Sequence, residues 1–170
     1  KDAMTGLHNR RFLQEYAPTL VASALRRKKT VGLVMCDLDY FKEVNDRYGH
    51  DVGDTLLRET AHIIRTTVRD ADVVIRFGGE EFLVLLIDVD PGESVEIANK
   101  IRINMESKSM KVPDGTLTKT ISLGVSEFPN DSERIWQAIK FADVALYEAK
   151  KMGRNKVVRF AAQMWTEAKF

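Results

Sequence analysis

The sequence predicts one mixed α/β domain, in which helices flank a central, mainly antiparallel sheet. Three observations indicate this fold class. Short apolar runs alternate along the chain with longer segments whose apolar residues recur every three to four positions. Two of the short runs are joined by a glycine-containing turn, which is typical of an antiparallel hairpin. The chain has 170 residues, 44% of them hydrophobic and 30% charged, which is ordinary for a single folded domain.

Five segments have the apolar periodicity of helices. In the first, apolar residues recur at helical spacing from Leu13 to Ala24. The fourth is opened by Pro91-Gly92 and has an apolar side from Val95 to Met105. We predict helices over residues 10–27, 40–47, 51–68, 91–105 and 131–151.

Five other segments have the composition of strands. The first, residues 31–38, is almost wholly apolar, as expected for a strand buried on both faces. Gly78-Gly79 separates the second and third, and we expect these glycines to accept the positive φ of a hairpin turn. Asp114-Gly115 marks a turn before the fourth. The predicted strands cover residues 31–38, 73–77, 81–87, 116–125 and 156–160; the tail that contains Trp165 has no assigned structure.

Charge and cysteine content narrow the function classes. The chain has 26 basic and 25 acidic residues, so its near-neutral charge gives no basic groove for nucleic acid and no argument for a membrane surface. One cysteine, Cys36, excludes an internal disulfide and suits a reducing compartment. Because the sequence contains neither a signal peptide nor an apolar stretch of about 20 residues, we expect a cytoplasmic location.

Carboxylates are concentrated where two predicted strands meet turns. Asp37 and Asp39 end the first strand, and side-chain alternation predicts that both point to one face. Glu80 and Glu81 follow the glycine pair. If the strand and the hairpin are neighbours, Asp37, Glu80 and Glu81 converge, and they repel one another unless a cation lies between them. Magnesium bound by carboxylates and substrate phosphates fits this pattern, and a solvated acidic hairpin is the alternative.

Five blocks in order along the chain resemble the GGDEF family, the diguanylate cyclases. They are DAMTGLHNRR at residues 2–11, DLDYFK with ND, GH and GD at 37–54, GGEEF at 78–82, ISLGV at 121–125, and ADVALYEAK with GRN at 142–155. The match runs from Asp2 to about Phe160. It implies a single catalytic domain over residues 1–170, a sensory region upstream of this sequence, and a sheet wrapped by helices as in polymerase palms and class III nucleotide cyclases.

The resemblance implies a Mg²⁺-dependent enzyme that condenses two GTP into cyclic di-GMP and two pyrophosphates. Each attack of a ribose 3′ hydroxyl on an α-phosphorus requires in-line geometry and neutralised phosphate charge. The family implies two Mg²⁺ per active site, with Mn²⁺ possible, and a homodimer because each domain holds one GTP. The implied metal ligands are Asp37, the Leu38 carbonyl and Glu81, and Glu80 is either a second metal ligand or the general base.

The remaining site residues are implied to bind GTP. Lys42 would offset charge that develops on the phosphates, and Lys150 and Arg154 would bind the β- and γ-phosphates. Asp54 favours GTP over ATP, because a carboxylate can accept both N–H donors on the Watson–Crick edge of guanine. The implied substrate-binding residues are Phe41, Lys42, Asn45, His50, Asp54, Gly78, Gly79, Lys150 and Arg154.

A second motif precedes the hairpin. Arg69 and Asp72 match the family's inhibitory product site, where arginine can bind guanine O6 and N7 while aspartate accepts N–H donors. Lys100 stands where the family more often has arginine, and a plain surface ion pair is the alternative. The leading hypothesis is therefore a product-inhibited diguanylate cyclase. The alternatives are a non-catalytic receptor for GTP or cyclic di-GMP and a cyclase that also accepts ATP.

Overall fold

The computed structural model of the chain describes residues 1–167, in which a five-stranded sheet has helices on both faces. Within these residues no helix is long and apolar enough to cross a membrane. The elements are α1 (Arg10–Arg27), β1 (Thr30–Leu38), α2 (Phe41–Tyr48), α3 (His50–Thr67), β2 (Val73–Arg76), β3 (Glu81–Val89), α4 (Glu93–Glu106), β4 (Met110–Val112), β5 (Gly115–Leu117), β6 (Ile121–Phe128), α5 (Ile135–Lys151), β7 (Val157–Arg159) and α6 (Ala162–Glu167).

The sheet has the strand order β2-β3-β1-β6-β7, with β1 at its centre. β1 pairs antiparallel with both β3 and β6, β2 pairs antiparallel with β3, and only the β6–β7 pair in this sheet is parallel. The predicted mixed, mainly antiparallel sheet is therefore confirmed. From Val31 to Leu38 every residue of β1 is buried, which explains the unbroken apolar run in the sequence.

Each face of the sheet packs against its own set of helices. Val34 and Cys36 belong to a core shared with α2, α3 and α4, whereas Leu33 and Met35 belong to a core shared with α1 and α5. Side chains alternate along a strand, so Asp37 points to the same face as Met35, toward α5. This alternation places the first acid of the DLD motif beneath the helix that carries Lys150.

Two predicted boundaries differ from the structure for local reasons. The predicted strand over residues 116–125 is divided between two strands. Its first residues belong to β5, which pairs with β4 in a separate small hairpin, and β6 begins only at Ile121. The polar residues 118–120 fall between the two strands. The predicted helix over 131–151 begins later, at Ile135, because Asp131 accepts a hydrogen bond from the Glu127 amide (2.7 Å) and stays in the preceding turn.

The two glycines of the hairpin do not serve the purpose predicted for them. Neither Gly78 nor Gly79 has a positive φ, so that prediction is wrong. A Cβ atom on Gly78 would lie only 2.8 Å from Oε1 of Glu81, whereas a Cβ atom on Gly79 would meet nothing within 4 Å. A Cβ atom at Gly78 would therefore displace the Glu81 carboxylate from its observed position, and Gly79 leaves the outer side of the turn open.

Candidate active site

The structure brings the predicted acids of β1 and the hairpin together. Asp37 on β1 is directly opposite Glu81 on β3, in the antiparallel register that runs the length of the two strands. The turn is held against the end of β1 by a hydrogen bond from the Leu38 amide to the Glu80 carbonyl (3.4 Å). Residues that are far apart in sequence thus place three carboxylates at one end of the central strand pair.

Burial is the main cause of the raised pKa values of these carboxyls, and the negative charges of neighbouring acids add to the rise. Glu80 opposes the rise in the pKa of Asp37, because the two side chains share a hydrogen bond. For Asp37 the main cause is burial, which outweighs the opposing effect of Lys150, whose ammonium group contacts Oδ2. Burial also raises the pKa of Glu80 and of Glu81, and the negative charge of Asp37 adds to both shifts. Asp143 on α5 raises the pKa of Glu81 further. The fold therefore holds these acids against an electrostatic cost.

The oxygen atoms of these side chains could supply some, but not all, of the ligands that a hard divalent cation requires. When Asp37 and Glu80 are both ionised, Oδ1 of Asp37 is buried and receives no hydrogen bond from any described residue. An orphaned carboxylate oxygen of this kind is a candidate ligand for Mg²⁺, which prefers oxygen donors. Within residues 1–167, however, no three acidic, histidine or cysteine side chains are arranged to hold a metal by themselves. A cation here would need ligands from phosphates and water as well, as is usual for Mg²⁺.

Arg76 anchors the acidic turn, and the sequence analysis did not identify this role. Its guanidinium donates to the Gly79 carbonyl (2.8 and 3.2 Å) and contacts Asp2 (3.3 Å). Asp2 also accepts from the Thr5 amide (2.9 Å) and hydroxyl (2.7 Å). The sequence feature that could have predicted this role is the arginine at the end of an apolar strand, because a charge in that position requires a partner. The N-terminal segment is thereby connected to the turn that carries Glu80.

Asp39 has a different environment from Asp37 although both belong to the DLD motif. Asp39 is buried, and it accepts hydrogen bonds from the hydroxyls of Thr120 (2.7 Å) and Ser122 (2.6 Å). The Asn155 amide donates to it as well (3.0 Å). Its carboxylate therefore fixes the loop after α5 to the end of β1, which is a structural role.

The predicted phosphate-binding residues lie around this end of the sheet. Lys150, on the last turn of α5, forms the ion pair with Asp37. Arg154 follows in the loop, where its guanidinium carbon lies 4.6 Å from the centre of the Tyr40 ring. Lys42 is exposed on the first turn of α2. The structure thus brings Lys150 onto the acids and Arg154 onto the segment between β1 and α2.

The predicted base-binding residues lie on α2 and α3. These helices cross closely at Gly53, where a Cβ atom would overlap Oδ1 of Asn45 and lie 3.3 Å from the Phe41 ring. Oδ1 of Asn45 is buried without a hydrogen-bond partner among the described residues. Asp54 is half-buried on α3, and His50 is the exposed first residue of that helix. Because α3 begins at His50, Asp54 does not cap it, and the role in guanine recognition stays a prediction.

The three residues of the predicted product site line one cavity of about 280 Å³ between α3 and α4. Arg69 is half-exposed, but the Asp72 side chain is fully covered. The Asp72 carboxylate accepts from the backbone amides of Arg69 and Ile87 (both 2.9 Å) and from the Arg69 guanidinium (3.0 and 3.3 Å). These bonds occupy its acceptor positions. A contact between Asp72 and guanine stays a prediction and would require one of these bonds to exchange; Lys100 is exposed at the edge of the cavity.

Comparison with known proteins gives consistent matches. Residues 1–156 match the family model described as diguanylate cyclase, GGDEF domain. Diguanylate cyclase A of Treponema denticola is 39% identical over 160 residues, which are 92% of this chain and 43% of that protein. A GGDEF domain of PA1120 (TpbB or YfiN) from Pseudomonas aeruginosa superposes with a TM-score of 0.89 at 32% identity, covering 98% of this chain and 97% of that chain. The GGDEF domain of DgcB from Caulobacter crescentus, solved in complex with c-di-GMP, gives a TM-score of 0.86 at 29% identity and covers 94% of both chains.

Proposed function

The chain belongs to the GGDEF family of diguanylate cyclases, a family of enzymes, and from this membership we propose that it condenses two GTP into cyclic di-GMP with release of two pyrophosphates. The chain spans less than half the length of diguanylate cyclase A, so the activity of the longer relative is carried over only as a proposal. The proposal rests on the residues described above.

One observation carries the proposal. Asp37 and Glu81 are paired across the central strands. Oδ1 of Asp37 is buried without a hydrogen-bond donor among the described residues as long as Glu80, whose carboxyl lies within hydrogen-bonding reach of Asp37, is ionised. A buried Asp37 beside a half-buried Glu81, held together at this cost, is typical of a site that binds a cation or charged substrate. The ammonium of Lys150 contacts Asp37, so the site offers a polyphosphate both a positively charged side chain and a position for a bound cation.

The side chains of the site can be assigned separate tasks. Mg²⁺, when bound by Asp37, Glu81 and the Leu38 carbonyl, would supply neutralisation of the phosphate charge. Glu80 lies in the same turn as Glu81, beside the proposed cation site, and we assign it the removal of the 3′ hydroxyl proton. Lys150 and Arg154 would bind the β- and γ-phosphates, and Lys42 would stabilise the charge that develops on them.

Guanine selection is assigned to α2 and α3. The carboxylate of Asp54 would accept both N–H donors of guanine, and losing such a bidentate contact costs about 1–3 kcal/mol. The unpartnered amide oxygen of Asn45 lies in the same helix pair, where a guanine N–H would satisfy it. ATP offers no equivalent donor pair, so GTP is the proposed substrate.

Product control is assigned to the cavity at Arg69. The half-exposed guanidinium can bind guanine O6 and N7, and Lys100 at the edge adds positive charge. Because Arg69 also donates to the Ile87 carbonyl of β3, a ligand there would act on the strand that carries Glu81. This proposal concerns inhibition by cyclic di-GMP and leaves the assignment of the catalytic residues unchanged.

The test is product analysis with the purified chain. With GTP and Mg²⁺ we expect cyclic di-GMP and pyrophosphate in a ratio of one to two. Glu81→Gln should lower the rate by at least about 100-fold, because it removes a charged group that acts on the reacting phosphates. Removal of Mg²⁺ by a chelator should have a similar effect.

The result that would reject the proposal is equally specific. A folded chain that binds GTP but makes no cyclic di-GMP at high protein concentration is a receptor and not a cyclase. An unchanged rate in Glu81→Gln would reject the assignment of the acidic pair. Equal turnover of ATP and GTP would reject the assignment of Asp54.

A further inference from the structure

Tyr40 is a residue whose side chain has no task in the proposed function. It lies between the DLD motif and α2, and its ring is 52% exposed. Single exposed aromatic residues are common, and Trp136 and Tyr147 are exposed to a similar extent, so only the contacts of the Tyr40 ring can indicate a role for it.

The ring of Tyr40 is in contact with the guanidinium of Arg154. The guanidinium carbon lies 4.6 Å from the ring centre, and Nη1 lies 3.5 Å from the phenolic oxygen. The first distance is that of a cation–π contact, whereas the second is at the long limit of a hydrogen bond. Stacking is therefore the main interaction. A second cation, Lys119, lies 5.5 Å from the same ring centre.

The backbone at this contact is strained on both sides. Five non-glycine residues in residues 1–167 have a positive φ, and three of them are Tyr40 (57°), Arg154 (66°) and Asn155 (48°). Left-handed backbone is unfavourable for such residues and persists only where the surroundings impose it. Asp39, the residue before Tyr40, accepts the Asn155 amide and so joins the two loops.

We propose that Tyr40 is a positioning residue whose ring holds the Arg154 guanidinium where the β- and γ-phosphates of GTP bind; the inference rests on the proposed function of that site. Arginine has a long, flexible side chain that loses conformational entropy when it binds phosphate. A guanidinium that is already held against a ring loses less conformational entropy when it binds phosphate. Tyr40 would thus act on GTP only through Arg154.

The experiment separates the effect of the Tyr40 ring from the effect of the left-handed backbone at this position. Tyr40→Gly removes the ring but accepts a positive φ at no steric cost, and Tyr40→Asn is a second variant that tolerates the same conformation. Tyr40→Phe keeps the stacking surface and removes only the phenolic oxygen. Binding of α,β-methylene-GTP, which cannot be cyclised, is measured by calorimetry with Mg²⁺ and compared with binding of GMP, which lacks the β- and γ-phosphates.

The expected result is specific to the triphosphate. Tyr40→Gly and Tyr40→Asn should weaken binding of the analogue about threefold to tenfold, the range expected for loss of a cation–π contact, and leave GMP binding unchanged. Tyr40→Phe should remain within about twofold of wild type. In Arg154→Ala the further change Tyr40→Gly should have no effect, because the ring acts only through that arginine.

Three results would overturn the inference. They are unchanged binding of the analogue in Tyr40→Gly and Tyr40→Asn, an equal loss for GMP and the analogue, and additive losses in the double variant. A wild-type chain that binds the analogue no tighter than GMP would also overturn it. A chain that binds the analogue as expected but makes no cyclic di-GMP would refute the proposed function alone.

Discussion

Asp37 and Asp39 differ in function although they are two positions apart in one motif. One oxygen of Asp37 contacts Lys150 and the other is buried without a donor when Glu80 is ionised, whereas Asp39 is satisfied by Thr120, Ser122 and Asn155. No local property of the sequence separates them, because the donors to Asp39 lie more than 80 positions further along the chain. At the scale of single residues, the chemistry depends on which partners the fold supplies.

A prediction at this scale concerns the ion pair that anchors the hairpin. Burial would raise the pKa of Asp2, but hydrogen bonds from Thr5 and the charge of Arg76 outweigh it and lower this pKa from 3.8. A lowered pKa stabilises the folded chain above the unfolded pKa, and the stabilisation is lost as the pH falls through the folded value. Because solvent screens this pair in part, Asp2→Asn should lower the free energy of unfolding by about 0.5–1 kcal/mol at pH 7 and by progressively less below about pH 4.

The measurement is thermal or urea unfolding of both proteins between pH 3 and pH 7. Asp114→Asn is the matched control, because Asp114 pairs with Arg47 at the same distance of 3.3 Å but both side chains are more than half exposed. Exposed pairs of this kind contribute little, so the control should be close to wild type at every pH. A deficit in Asp2→Asn that is the same at pH 3 and pH 7 would contradict the assignment.

At the scale of elements, apolar periodicity predicted the helices and the sheet, and side-chain contacts set the boundaries. The bounds of α1 match the prediction, and the GGEEF turn lies where the apolar runs place it. The β4–β5 hairpin was not predicted, because its strands have only three residues each and are mostly exposed. The pairing of Asp37 with Glu81 was expected as a convergence, but its register depends on the whole β1–β3 ladder.

The contact between β6 and α5 gives a prediction at this scale. A Cβ atom on Gly124 would overlap the Ala142 carbonyl and the Leu146 amide, which are backbone atoms of α5 that cannot move aside separately. Gly124→Ala should therefore destabilise the fold by about 1–3 kcal/mol through overpacking. The melting temperature should fall by about 2–4 °C for each kcal/mol in a chain of this size.

The glycine in the active-site turn provides the control for this measurement. Gly79 has open space at its Cβ position and no positive φ. The free energy of unfolding of Gly79→Ala should therefore lie within about 0.5 kcal/mol of that of the wild type. Equal destabilisation of the two variants would mean that loss of glycine flexibility, and not contact with α5, sets the stability. Helix α5 also carries Lys150, so a displaced helix in Gly124→Ala should weaken GTP binding as well.

At the scale of the whole molecule, a single domain offers half of what the proposed reaction requires. The acids and the residues proposed to bind phosphate and guanine occur once in residues 1–167, and cyclic di-GMP contains two GMP units joined by two bonds. Each GTP must supply a 3′ hydroxyl to the α-phosphorus of the other, so two domains must face each other during turnover. The active species is therefore expected to be a symmetric dimer, in agreement with the prevalence of two-fold symmetry among homo-oligomers.

The prediction that follows is a dependence of activity on protein concentration and on inactive partners. Below the dissociation constant of the dimer, the rate per domain should rise in proportion to protein concentration, because the fraction of domains in dimers does so. At protein concentrations well above that constant, Glu81→Gln should also inhibit the wild type. At tenfold excess most wild-type domains would pair with a variant that cannot complete the second bond, and the rate per wild-type domain should fall by about tenfold on the two-fold model. Product formation is measured across the dilution series and the mixtures. An equal excess of Asp114→Asn, which is expected to be active, should leave the rate per total domain unchanged and so controls for crowding. A rate per domain that is independent of concentration and also unaffected by excess Glu81→Gln would show that one domain completes the reaction alone, and the dimer would then have no role in catalysis.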